Sequence, residues 1–212
     1  MFKKLNSKEI SDLDRFYRIN LINKISGYKS GNLIGTNSKS GRSNLAVFNS
    51  VIHVGANPPY LGFLLRPHTV ERHTYENILS TGYFTINQIT SEIHKKAHTT
   101  SASYPREVSE FKACNLTEWY SKDFPVPFVA ESAIKIGLSF VEENAIDCNG
   151  TIFIVGKIET LIVPESAISD DGDVRLEELD TVALGGLDTY YTAKKLGRYK
   201  FSRPNIDIEE IQ

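Results

Sequence analysis

Asn44, Ala46, Asn49 and Ser50 lie on one short run and are the first residues in the chain whose types suggest ligand chemistry. Small side chains let a ligand approach the backbone, while amides and a hydroxyl supply donors when it arrives, so a phosphate or a flat heterocycle suits such a surface. The same residues also fit an ordinary amphipathic strand with its polar side chains in water. Arg66 stands where an apolar run ends at Arg66-Pro67-His68, a place from which a guanidinium fork meets either an anion or a surface carboxylate. Thr74 opens a helical pattern, where it can cap the helix, lie beside a phosphate held by the free N–H groups, or do both. His94-Lys-Lys-Ala-His98, followed by Thr99, Thr100, Ser101 and Ser103, gathers cationic and hydroxyl groups that form either a phosphate-binding wall or solvated surface. His94 and His98 are four apart, but neither a Glu nor a third His follows at a metal-ligand spacing, so no metal is expected. Cys114 and Cys148 are isolated and read as plain thiols. No nucleophile–base set or acid/base pair is visible, and no catalytic side chain is assigned.

The elements that must carry these residues are mostly strands. Leu33 to Thr36 reads as a first strand, followed by a polar turn from Asn37 to Ser43 in which Gly41 supplies positive φ. Asn44 to Val54 reads as a second, with Leu45, Val47, Asn49 and Val51 on one face and Asn44, Ala46, Phe48 and Ser50 on the other. Asn57-Pro58-Pro59 must be a loop. Tyr60 to Leu65, unbroken in its apolar character, reads as a strand buried on both sides. A short helix with Thr74 as N-cap ends at Gly82, and Tyr83 to Ile89 alternates as a strand. Thr90 to Val129 is too polar and Pro-broken to read as core; within it Trp119, Tyr120 and Phe124 form either a lid or a point of docking onto the sheet. Ile134 to Val141 and Thr151 to Val163 should pair as an antiparallel hairpin joined by Glu142–Gly150, whose Asn149-Gly150 is a turn signal. Ser166 to Glu178 is an acidic loop without the ligands of a calcium-binding loop. Near the start, Ser7 to Asn23 reads as one helix, capped at Ser7, stopped by Gly27 and covering an open end of a sheet. The sum is a mainly β chain, an antiparallel barrel of about six strands with helical and loop additions.

The sequence of 212 residues has no Ser/Gly/Pro-rich linker, so residues 1–212 are expected to form a single domain. Hydrophobic residues at 41%, charged residues at 24% and a net charge of −2 fit a globular protein without the electrostatic footprint of a nucleic-acid or anionic-membrane binder. No apolar run approaches the ~18 residues of a membrane span and no signal sequence opens the chain, so a cytoplasmic location is expected. Function therefore has to be sought in a pocket. Neither a G-x-G-x-x-G fingerprint after a strand nor a Walker A loop is present, which excludes the common nucleotide-binding domains.

One ordered set of motifs goes further. Thr36, the Gly-containing turn, Asn44-Leu-Ala-x-Phe-x-Ser50 and Asn57-Pro-Pro59 are followed by His73-Thr-Tyr-Glu-Asn-Ile78 and Gly82-Tyr-Phe-Thr-Ile-Asn87. Ser109-Glu-Phe111, Glu131-Ser132, Gly150-Thr151 and Arg203-Pro204 complete it over nearly the whole chain. In this order the set resembles the flavin reductase-like FMN-binding proteins. The chain departs from many relatives at Lys29-Ser-Gly31, where they have Pro-Arg-Pro, and at Val47, where they have Pro. The resemblance implies a Greek-key split barrel that binds FMN and takes hydride from NADH or NADPH, passing electrons to free flavin or to a downstream acceptor protein. Its alternatives are an FMN-bound electron carrier of flavoredoxin type and a non-enzymatic FMN-binding module. By the same resemblance, Thr36, Asn44, Leu45, Ala46, Asn49, Ser50 and Val51 would lie along the flavin, and Arg66, Thr74, His98 and Ser101 would hold its phosphate and ribityl chain. Gly185–Tyr191 resembles a late segment near the active site, although it also reads as a glycine turn into a packed aromatic pair. Relatives commonly pair, which implies a homodimer with its flavin sites at the interface, and the aromatic-rich stretches Trp119–Phe128 and Tyr190–Tyr199 suit such a contact.

Overall fold

The computed structural model describes residues 1–67 and 69–211; His68, which follows the expected strand end at Arg66, lies outside them. Helices α1 (Ser7–Ser11) and α2 (Arg15–Ile25) precede the strands β1 (Tyr28–Ser30), β2 (Asn32–Asn37), β3 (Ser43–Phe48), β4 (Ile52–Ala56) and β5 (Pro59–Leu65). Helix α3 (His73–Thr81) leads into β6 (Tyr83–Gln88), followed by α4 (His94–Thr99), α5 (Glu110–Ala113), β7 (Glu118–Trp119) and β8 (Phe128–Val129). The long hairpin β9 (Lys135–Ile146) and β10 (Thr151–Ile162) and the small hairpin β11 (Val182–Gly185) and β12 (Thr189–Thr192) complete the order. The main sheet is antiparallel, in the order β3-β2-β6-β9-β10-β5-β4; β1 pairs with β11 in a smaller sheet.

The sheet closes because the extended run predicted from Asn44 to Val54 changes partner halfway. It pairs with β2 as far as Phe48↔Asn32, breaks at residues 49–51, and resumes as β4 with Ile52↔Gly62 on β5. At the break a side chain replaces the ladder: Ser50 Oγ accepts the Leu64 N–H at 3.1 Å and donates to the Leu64 carbonyl at 3.0 Å. The single strand of the sequence reading is therefore two strands around a corner, and this corner closes the barrel.

Strand alternation places apolar side chains on both faces. Inside, Ile34, Phe63, Phe84, Ile86, Leu138 and Ile154 form one core. Phe63 and Phe84, on strands that are not neighbours in the sheet, meet edge-to-face at 5.6 Å across the interior. Gly156 makes that possible, since a Cβ there would stand 2.5 Å from the Phe84 ring. Outside, Leu33 and Leu45 are covered by Ile93, Ala97, Phe111, Cys114 and Leu116. The segment from Thr90 to Val129, expected to stay out of the core, thus supplies much of the outer one. Its few apolar residues are nearly all buried there, among otherwise polar neighbours. Phe124 docks against Tyr83 and Phe128, while Trp119 and Tyr120 remain exposed.

Four further expectations are corrected. The N-terminal helix is two helices, capped at Asn6 through a reciprocal box with Glu9 and at Asp14, whose carboxylate accepts the Phe16 and Tyr17 N–H groups; Ser7 is not a cap. Neither helix buries a residue, so α2 does not cover a sheet end with a packed face. In β5, Leu64 is exposed, because only alternate residues reach the interior. The connection expected over Glu142–Gly150 is strand as far as Ile146, held by the ladder with β10 although its side chains face solvent. Gly27, Gly41 and Gly82 take positive φ as expected.

Candidate functional site

At its first end β3 is locked to α3 by side chains. Asn44 Nδ2 donates to Thr36 Oγ1 at 3.3 Å and to Thr74 Oγ1 at 3.1 Å, and Asn77 Nδ2 donates to the same Thr36 oxygen at 3.0 Å. All four residues are buried. Thr74 is therefore not the N-cap. That place is taken by Arg72, which makes no side-chain cap bond, and Thr74 turns inward from the first turn of α3. Around this helix start stand His73, 3.6 Å from Glu71, and Arg106, paired with Glu71 and Glu76.

The open edge of β3 is held by α5. The Leu45 N–H donates to Glu110 Oε2 at 3.0 Å, and the hydroxyls of Ser43 and Ser109 lie 2.7 Å apart. Burial pushes the Glu110 carboxyl up, and the Leu45 N–H and the charge of His73 pull it partly back. Residues two apart in a strand turn their backbone groups the same way, so Val47 presents its N–H and C=O to the edge that Leu45 shares with Glu110.

At its other end β3 runs into the barrel corner. Asn49 Nδ2 donates to the Gly186 carbonyl at 2.6 Å, tying the corner to the turn between β11 and β12. From that turn an open cleft of about 390 Å³ extends over His94, Lys95, His98, Asp188, Thr189 and Tyr190. His98 Nδ1 lies 3.2 Å from the Tyr190 hydroxyl, and the His94 ring packs on the same phenol at 5.6 Å. Burial, and after it the charge of Asp188, pushes the Tyr190 phenol up to about 12. Asp188 is held below the usual carboxylate range by the Thr189 hydroxyl and by Lys24 of α2, whose Nζ lies 3.3 Å from it.

Of the residues singled out from sequence, Thr36, Asn44 and Thr74 come together in one buried cluster, and Leu45 follows directly. Ala46 is half-buried on β3, and Asn49, Ser50 and Val51 form the corner, with Val51 packed on the inner core. His98 lies in the cleft, and Ser101 one turn on donates to the His98 carbonyl at 2.7 Å. Arg66 is exposed beyond the end of β5. Residues that sequence reasoning did not assign to the site are Asn77, Glu110 and Lys24; Asp188 and Tyr190 lie within the Gly185–Tyr191 segment that the resemblance set near the active site. Glu110 sat inside the quoted Ser-Glu-Phe triplet, and an acid between a hydroxyl and an aromatic residue was the available signal. Lys24 had none, because its partner is more than 160 positions away.

Comparison with known proteins agrees with this architecture. Residues 25–175 match the flavin reductase like domain. A flavin reductase-type protein with a split barrel domain from Shewanella frigidimarina NCIMB 400 superposes with a TM-score of 0.91 at 44% identity, covering 95% of this chain and 100% of that one. Nitrilotriacetate monooxygenase component B from Bacillus cereus has a TM-score of 0.79 at 19% identity over 96% and 99% of the two chains. Flavoredoxin of Desulfovibrio vulgaris (Miyazaki F) has a TM-score of 0.69 at 21% identity over 84% and 91%. The last two share the fold. A mainly β antiparallel split barrel, matched by the family over most of its length, makes this chain a member of the flavin reductase-like family.

Proposed function

We propose that this protein binds FMN and acts as an NAD(P)H-dependent flavin oxidoreductase. The observation that carries the reading is the cleft of about 390 Å³ beside the β3 corner, within the size range of small-molecule sites, in a chain of the flavin reductase-like family. The residues present fit a flavin monophosphate. The edge of β3 offers backbone donors and acceptors to a planar heterocycle, and α3 begins without a side-chain cap, as an anion-binding helix start does. When bound, the flavin supplies the hydride and electron chemistry, so the chain needs only to bind, orient and exclude.

In this reading Arg66 and the first turn of α3 hold the phosphate, and His98 and Ser101 stand along the ribityl chain. Thr36, Asn44 and Thr74 act as one unit that fixes α3 against β3. Asn49 and Ser50 fix the corner on which Leu45, Ala46 and Val51 present the backbone. The reading includes a homodimer whose flavin sites lie at the interface, supported by the exposed Trp119 and Tyr120.

The test is direct. Purified protein should quench FMN fluorescence more strongly than FAD, and should consume NADH or NADPH steadily with flavin as acceptor. Flavin binding without nucleotide consumption would leave an electron carrier. Absence of flavin binding would overturn the reading. Light scattering should give twice 23.8 kDa.

A further inference from the structure

A two-electron reduction of an organic acceptor consumes a proton as well as a hydride, and the proton has to come from the chain or from water reaching the site. In the cleft beside the β3 corner, the Tyr190 hydroxyl lies 3.2 Å from Nδ1 of His98. The phenol is half-buried while the His98 imidazole is exposed, so the pair joins the cleft to bulk water. Burial keeps the phenol protonated well above neutral pH, and an imidazole nitrogen serves as donor or acceptor according to its tautomer. The bond therefore has two forms. In one the phenol donates to Nδ1; in the other Nδ1–H donates to the phenol oxygen, and the phenolic hydrogen is free for a ligand.

The groups around this hydroxyl have other duties. Asp188 is held ionised by the Thr189 hydroxyl and by Lys24, and has no proton to give. His94 gives its Nδ1–H to the Ser91 carbonyl and lays its ring against the phenol at 5.6 Å. The His98 ring meets the same phenol edge-on at 5.7 Å. The hydroxyl thus stands among aromatic rings, which suit a flat conjugated molecule, and an O–H in that setting suits a carbonyl oxygen.

We propose that the electron acceptor bound in this cleft is a small α,β-unsaturated carbonyl compound, and that Tyr190 is its proton donor, resupplied by His98. The inference rests on the flavin oxidoreductase reading above, in which NAD(P)H supplies the reducing equivalents, and names the acceptor class. As hydride adds at the β-carbon, the π electrons shift to the carbonyl oxygen. The Tyr190 O–H bond breaks to protonate that oxygen, its electron pair staying on the phenol, and the enol so formed reverts to the saturated carbonyl compound in water. Nδ1–H of His98, already directed at the phenol oxygen, restores the phenol, and water restores His98. The sum is NAD(P)H, the unsaturated carbonyl compound and one proton giving NAD(P)+ and the saturated one. An enolate oxygen and a phenolate are of similar basicity, so the transfer is not steeply uphill.

The experiment uses the flavin-loaded full chain. The probe is 4-(dimethylamino)cinnamaldehyde, whose absorption moves to longer wavelength when its carbonyl oxygen accepts a hydrogen bond. Difference spectra should show this red shift, and Tyr190→Phe, which keeps the ring and removes the O–H, should abolish it. In turnover with NAD(P)H, the rate with cinnamaldehyde is divided by the rate with ferricyanide, which takes electrons without a proton, so that steps common to both acceptors cancel. This ratio should fall about 100-fold in Tyr190→Phe, the scale of a lost general acid. It should fall by less in His98→Gln, in which the red shift persists because the phenol remains. An unshifted probe, an equal shift in Tyr190→Phe, no turnover of cinnamaldehyde or an unchanged ratio would overturn the proposal and leave the flavin reading standing. A protein that binds no flavin would overturn that reading and this proposal with it.

Discussion

The two ends of β3 carry similar polar residues and use them differently. At the Asn44 end the amide, the two threonines and Asn77 are buried and bonded to one another, so their donors are spent on joining α3 to the barrel. At the Asn49 end the amide makes one bond across to Gly186 and the surroundings open into the His98–Tyr190 cleft. One strand thus serves as a structural joint at one end and runs toward an open cleft at the other. Residue type alone does not separate these roles; burial does.

Substitutions at each end should show the difference, and the largest effect is expected at the joint. Asn44→Ala removes the donor to both Thr36 and Thr74 and should cost about 2–3 kcal/mol of stability by urea denaturation, because the buried Thr74 hydroxyl loses that donor and Thr36 keeps only the Asn77 amide. A loss confined to flavin affinity, with stability unchanged, would make this end part of the site instead. Arg66→Ala, on the exposed side, should weaken FMN binding by roughly 1–3 kcal/mol in a fluorescence titration and leave stability nearly untouched. Unchanged affinity would remove Arg66 from the site. Ser50→Ala, between the two regimes, should cost about 1 kcal/mol of stability, as expected for a part-exposed hydroxyl that both donates and accepts.

The smallest change is expected from Glu110→Gln, which keeps an oxygen for the Leu45 N–H and removes the titration. A carboxyl whose pKa is raised on folding favours the protonated form in the native state. Its contribution is fully present below the ordinary Glu value and is lost as pH rises through the raised one. Wild type should therefore lose stability relative to the glutamine variant across that window in melts recorded at successive pH. Parallel pH profiles would remove Glu110 from the linkage.

The barrel was legible in the sequence because strand alternation and glycine turns are local properties. The polar turn between β2 and β3, the β9–β10 hairpin and the start of β6 follow from them. What was not legible depended on distant partners. Residues 44–54 read as one strand because nothing nearby shows that β5 will take over from β2 at Ser50. Thr74 read as a cap because its true partner, Asn44, lies 30 positions away. The outer core contributed by residues 90–129 was hidden by low apolar density, since single residues such as Phe111 and Leu116 are each fully used. Of the candidate site, the β3 motif and His98 were visible from type and order, the Gly185–Tyr191 segment that carries Asp188 and Tyr190 only through the resemblance, and Lys24 joined them only through folding.

The bond from Leu45 to Glu110 bears on solubility. β3 is an outer strand of the seven-stranded sheet, and an outer strand with free N–H groups is a template on which another chain can add a strand. In this protein a buried carboxylate occupies the edge at Leu45, with the Ser43–Ser109 contact beside it. A variant that loses α5 would expose Leu45 and Val47 along an open ladder, and its failure at high concentration would be sheet-to-sheet aggregation rather than simple unfolding.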